Sequence, residues 1–219
     1  MVDGANLHGE SFEEILETVF ESTDTLLLVD PTGETIEALT AVTSAAANPP
    51  SIRLLARATV LKDVMDDFVV ASNAADHVAS ETLSVRTGSD TANALVITDA
   101  AVWALVGVGD HVAALGTDDD EFVETAREAY EAKWEVSEPF DLRTPPLSLV
   151  RETLGEEIGQ DARADFDATL DALQSAREAA GEFDEVTLTI LVAARNDVLL
   201  YDISKWGEDV GIASKATFS

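Results

Sequence analysis

Cysteine is absent from the 219-residue chain, which excludes a disulfide framework, a thiolate metal site and a cysteine nucleophile. Cations are scarce: Lys and Arg together number 13, and the only lysines are Lys62, Lys133, Lys205 and Lys215. No apolar run is long enough to span a membrane, since the longest, Ala92 to Gly109, is interrupted by Asp99. No basic segment followed by an apolar one opens the chain, so no secretory leader is expected and the protein is expected in the cytoplasm. The three histidines, His8, His77 and His111, lie in unrelated settings. Gly107-Val108-Gly109 lacks the third glycine and the following helix of a dinucleotide fingerprint. These absences argue against an enzyme, and neither a cofactor nor a metal is expected.

What is present is acid. Asp and Glu number 43, giving a formal net charge of −30 on a composition that is 46% hydrophobic and able to bury a real core. In dilute buffer such a surface repels itself, whereas near molar salt the Debye length falls to about 3 Å and the carboxylates instead keep the protein hydrated. Few lysines with abundant Asp, Ala, Val and Thr resemble the proteins of salt-accumulating haloarchaea. An acidic interaction segment would carry the charge without the apolar residues.

Ser11 and Glu14 form a capping box ahead of Phe12, Ile15, Leu16, Val19 and Phe20, which share one face of a helix over 11–22. Thr25 to Val29 is an apolar run closed by Asp30-Pro31-Thr32-Gly33, the pattern of a buried strand and turn. Helices are expected over 34–47, 58–68 and 71–80, and strands over 51–57 and 82–87. Elements alternating in this way imply an α/β domain with a mixed, largely parallel sheet and helices on both faces. Asn93 to Thr98 and Val102 to Val108 should pair as a hairpin, with His111 to Leu115 as an added edge. Thr117-Asp118-Asp119-Asp120 then caps a helix reaching Trp134. Three of the six prolines fall in 138–146 and mark a linker. Beyond it the β signals vanish. Helices are expected over 147–154, 163–180 and 184–195, the second with Phe166, Leu170 and Leu173 along one stripe. The organisation expected is a sensor domain over 1–140, a linker over 141–146, and a helical segment with a winged helix-turn-helix over 147–219.

A helix-turn-helix needs a small residue inside its first helix, an apolar residue one turn later, and glycine at the turn. Gly207, Val210 and Gly211 meet those demands, and Ile212 returns to the core. Ser214 reads as the N-cap of a recognition helix opening Lys215-Ala216-Thr217-Phe218-Ser219. Recognition helices present their first turn to base edges, which makes Lys215 and Ser219 the candidates for base or phosphate contacts. Ser214 and the first amides could hold a phosphate, and Lys205 could reach the backbone. Ile203, Trp206, Val210, Ile212 and Phe218 are expected core; a plain helical hairpin with glycine turns is the bland alternative. Residues 184–219 hold three cations and six carboxylates, a net of −3, so the remaining −27 lies in 1–183. That face is less acidic than the rest, though not basic as DNA-binding faces normally are. A second window, Leu154 to Asp161 followed by 162–173, mimics the motif. Its reading helix would turn Asp161, Asp165, Asp167 and Asp171 toward phosphate, so it reads as structural, with dimerisation as one role.

The run DVLLYDISKWGEDVGIASKATFS, preceded by LVAARN and by the α/β half, resembles the haloarchaeal TbsP-type transcription regulators. The N-terminal domain of that family is related to the sugar-sensing effector domain of TrmB-like regulators. The resemblance covers the whole chain and implies a dimeric, double-stranded-DNA-binding regulator of central carbon metabolism with a sugar or sugar-phosphate effector. The sequence ends about five residues into the expected recognition helix, so the winged motif is incomplete in it.

For the effector, period two places Arg53 and Arg57 on one strand face, with Arg57 at the carboxyl end where ligands of parallel sheets bind. Asp30, Asp99 and Trp103 are weaker candidates, as is Trp134. Salt-bridging to the many carboxylates is at least as good an account of the arginines, and core packing of the tryptophans. Besides an enzyme, the alternatives are a receiver-like phospho-acceptor at Asp30 and a metabolite-binding or scaffold module acting through protein contacts alone.

Overall fold

The computed structural model describes residues 6–88, 93–109, 111–175, 185–213 and 217. The chain divides into two compact units, Met1–Val64 with His77–Asp141, and Met65–Asp76 with Leu142–Ser219.

The first unit is built on an eight-stranded sheet in the order β1-β7-β6-β5-β2-β3-β4-β8. Its strands are β1 (Leu7–Gly9), β2 (Thr25–Val29), β3 (Ser51–Ala56), β4 (Leu83–Thr87), β5 (Ala94–Ile97), β6 (Val102–Val108), β7 (His111–Thr117) and β8 (Glu138–Pro139). Helices α1 (Phe12–Phe20), α2 (Gly33–Ala45), α3 (Ala58–Met65) and α5 (Asp120–Val136) intervene, whereas α4 (Phe68–Ala79) falls mostly in the second unit. The mixed α/β class is as expected, but the parallel share is smaller. Among the described strands, only the neighbours β2/β3 and β3/β4 run parallel, each joined through helices; β5, β6 and β7 follow as antiparallel hairpins. The predicted β5/β6 hairpin forms, with Ile97 opposite Val102. The strand expected at His111 forms as β7 beside β6, but it is not the sheet's edge, because β1 pairs with its outer side, Leu7 opposite Ala114. The opening of the predicted linker is strand: Glu138 and Pro139 lie against Thr87 and Arg86, an edge position that tolerates proline.

Local chemistry explains the helix starts. The Ser11 hydroxyl accepts from Glu14 N at 3.4 Å, while the Glu14 carboxylate accepts from Glu10 N at 2.9 Å, one residue earlier than in a reciprocal capping box. Thr32 caps α2 through Thr35 N, and Asp119 caps α5 through Phe122 N at 3.0 Å. Alternation divides the sheet. Leu27, Val29, Leu55, Ile97 and Val102 pack with Val123 and Trp134 of α5 on one face. Leu26, Leu28, Ile52 and Leu54, at most 2% exposed, form the other.

The second unit is helical: α6 (Leu147–Thr153), continuing through a π-helical turn (Leu154–Ile158), then α7 (Gln160–Ser175), α8 (Glu185–Arg195) and α9 (Leu200–Val210). Phe166, Leu170, Leu188, Val192, Ile203, Trp206 and Ile212 form its core together with Phe68. That packing places residues 65–76, expected in the α/β domain, in this unit. The side chain of Leu173 and residues 176–180 of the predicted second helix lie outside the described residues. Among the described residues, no helix is long and apolar enough to cross a membrane.

Candidate nucleic-acid interface and sensor site

The candidate DNA-reading end begins with the turn between α8 and α9. Val198 N donates to Ala193 O at 3.0 Å and Asn196 Nδ2 to Asp165 Oδ2 at 3.0 Å, with Asp197 in the left-handed region at φ +53°. Helix α9 then buries Ile203, Trp206 and Gly207 on one side. The Trp206 indole donates to Thr153 Oγ1 at 3.1 Å, so its one polar atom is satisfied inside the core. Gly207, without a side chain, offers a carbonyl on which the N–H groups of Gly211 (3.2 Å), Ile212 (2.8 Å) and Ala213 (3.4 Å) converge. Gly211 sits at φ +90° and ψ +19°, ending the helix in the left-handed cap that glycine adopts without a Cβ penalty. Ile212, 8% exposed, turns back into the core. Ile203, Trp206 and Ile212 are buried, and Val210 packs against them half-buried.

The predicted reading residues Ser214, Lys215 and Ser219, with core candidate Phe218, lie outside the described residues. Lys205 is exposed on α9. It borders an open groove shared with Glu157, Asp197, Asp202 and Asp209, so this lysine is set among carboxylates. The second helix-turn-helix-like window is closed by ion pairs. Asp167 Oδ1 lies 2.6 Å from Arg151 Nε, and Asp165 Oδ1 3.3 Å from Arg195 Nη2, leaving those two carboxylates bonded within the unit.

The sensor candidates fall into three places. At the carboxyl ends of β2 and β3, Arg57 Nε donates to Asp30 Oδ1 at 2.8 Å; the Asp30 side chain is 5% exposed and that of Arg57 50%. A carboxylate so covered and paired is poorly placed to accept a phosphoryl group, which counts against the receiver-like alternative. Arg53 and Asp99 line a small cavity toward the amino ends of the strands, with Thr25, Thr98, Arg127 and Glu131. Arg53 Nη1 lies 2.8 Å from Glu131 Oε1, and Arg127 Nη2 3.0 Å from Asp99 Oδ1. The cavity measures about 30 Å³, room for a water molecule or two and not for a sugar. Trp103 belongs to neither group. It is 4% exposed, and a Cβ on Gly116 would clash with its indole. Its register partner Val96 alternates with Leu95 and Ile97, which places Trp103 on the sheet face opposite Arg53. Trp103 is therefore core and not a sugar platform.

Helix α5 supplies partners that sequence reasoning did not name. Arg127 and Glu131, one turn apart, clamp Asp99 and Arg53, and the 127/131 spacing was the only available signal. The hydrogen bond from Arg53 holds the Glu131 carboxyl below its usual range, with burial opposing. Burial, and then the charge of Asp30, push the Tyr130 phenol up. Arg86 lies 4.9 Å from the ring centroid of Trp134 and donates to Trp134 O at 2.6 Å, satisfying the carboxyl end of α5 with a cation. Among the described residues, no three His, Asp or Glu side chains converge as metal ligands would.

Besides the mixed α/β unit, the helical unit offers a helix, a left-handed glycine turn and a returning isoleucine, which is what the first helix and turn of a helix-turn-helix require. The chain belongs to the TbsP-like transcriptional regulators. Residues 4–145 match the N-terminal family, and residues 146–219 match its C-terminal helix-turn-helix domain. Two solved structures are similar in part. TrmBL2, described as an archaeal chromatin protein with a novel mode of DNA binding, is 15% identical over 62% of this chain, with a TM-score of 0.44. The match spans 54% of the TrmBL2 chain, about half its length. Nuc, a phospholipase D family member from Salmonella typhimurium, is 11% identical over 62% of this chain and 97% of its own, with a TM-score of 0.41. Likeness at this level says nothing of substrate or partner. Comparison with curated proteins returns no match.

Proposed function

We propose that this chain is a sequence-specific DNA-binding regulator of central carbon metabolism. In this reading it works as a homodimer in the salt-rich cytoplasm of a haloarchaeon and answers to a sugar or sugar phosphate held by its N-terminal unit. The observation that carries the DNA-binding part is the end of α9: three amides gathered on Gly207 O, Gly211 at φ +90°, and Ile212 returned to the core. That arrangement is what the first helix and turn of the motif require before a recognition helix can start at Ser214. In this reading Lys215 and Ser219 meet base edges or nearby phosphates, Ser214 and the first helical amides hold a phosphate, and Lys205 reaches the backbone. The carboxylates around Lys205 are compatible with duplex binding at molar salt. There counterion release contributes little, and bound cations can bridge carboxylate to phosphate.

For the metabolite, the carboxyl ends of β2 and β3 favour Arg57 and Asp30. Arg53 and Asp99 join a site only if Glu131 and Arg127 swing aside. A catalytic reading has no support from a family of regulators. The test is Lys215→Ala in the regulator as its host makes it. Promoter occupancy in a chromatin pull-down should fall while the melting temperature stays unchanged, and undiminished occupancy would overturn the recognition-helix assignment. A mobility shift at high salt, with and without sugar phosphates, reads the effector separately.

A further inference from the structure

Strands β6 and β7 are apolar on both faces. One face is filled: Trp103, Leu105, Val112 and Ala114 are at most 8% exposed. The other carries Ala104, Val106 and Val108 on β6, His111, Ala113 and Leu115 on β7, and His8 on β1, placed together by the register. Val106 is 37% exposed, Leu115 49% and Val108 72%, and Phe122, at the start of α5, is 55% exposed. The buried residues of α5 pack over β2, β3, β5 and the start of β6, and the strip beyond is left open. A sheet face turned to water ordinarily alternates in polar residues, and a contiguous apolar strip marks an interaction surface.

Charge identifies the occupant. The chain carries 43 acidic residues, yet none of these seven positions is a carboxylate. Nucleic acid and anionic lipid would seek lysine or arginine, and a basic protein would seek carboxylates; this strip carries none of them. A second copy brings the same uncharged strip. Apposing the two across a two-fold axis therefore sets no like charges against one another. Because β1 covers the outer edge of β7, the copies meet face to face and do not add strand to strand.

We infer that the open face of β6, β7 and β1 is the homodimer interface of this regulator, with Val106, Val108 and Leu115 at its centre. The inference rests on the dimeric reading above and adds where the contact lies. Sedimentation equilibrium of the whole chain in molar salt tests it, with Val108→Glu as the disrupting variant and Val136→Glu as control. Val136 is 84% exposed at the end of α5, away from the strip. The expected result is a dimer for the natural chain and for Val136→Glu, and a monomer with an unchanged circular dichroism spectrum for Val108→Glu. Should Val108→Glu disturb folding, Leu115→Ser is the milder variant, expected to weaken the dimer about tenfold. A natural chain that stays monomeric overturns both the dimer and this face. A dimer indifferent to Val108→Glu and Leu115→Ser, or one dissolved equally by Val136→Glu, overturns the face alone.

Discussion

Alanine at Gly211 isolates the backbone geometry on which the helix-turn-helix depends. An added methyl would meet no atom within 4 Å, so crowding contributes nothing. The cost is that of holding a Cβ-bearing residue at φ +90°, about 1–2 kcal/mol, offset in part because alanine restricts the unfolded chain. A net loss of about 1 kcal/mol corresponds to a roughly fivefold rise in the open population. Hydrogen exchange in molar salt measures it at the Ile212 amide, which donates to Gly207 O at 2.8 Å. Exchange there and along α9 should accelerate about fivefold, while the β2 and β3 amides, in the other unit, keep their protection. Gly211→Asn should lose less, because asparagine tolerates the left-handed region. If Gly211→Ala left the exchange of Ile212 unchanged or slowed it, the left-handed turn would be wrong, and with it the proposal that a recognition helix starts at Ser214.

Two further outcomes follow from charge. Glu131 titrates below its usual range because Arg53 bonds to the ionised form, so its contribution to stability is present above the unfolded carboxyl value and lost as pH falls through the depressed folded one. In Arg53→Ala the Glu131 carboxyl resonance should titrate at higher pH, and a midpoint unmoved by the substitution would remove the pair. Dialysis from molar salt to tens of millimolar should unfold or aggregate the protein, since the Debye length then lengthens from about 3 Å toward 30 Å and the net charge of −30 opposes compaction. A melting temperature indifferent to salt would contradict the haloarchaeal reading.

What could be read from the chain was local. The caps at Ser11 and Asp119, the strand at Thr25–Val29 and the glycine at the end of α9 depend on residues within about one helical turn of each other, so neighbours in sequence carry the whole signal. Family resemblance was legible for the same reason, lying in one contiguous run from Asp197 to Ser219. Tertiary structure alone decided which strands became neighbours. β5 joins β2 across the intervening β3 and β4, and β1, three residues long, finds β7 more than a hundred residues away. Period two grouped Arg53 with Arg57 on one face, but it could not say that α5 would cover that face and bring Glu131 to Arg53. Nor could it say that Trp103 would fall on the other face as core. Burial and ion pairing between segments distant in sequence depend on how the sheet closes, and no single stretch of the chain encodes that.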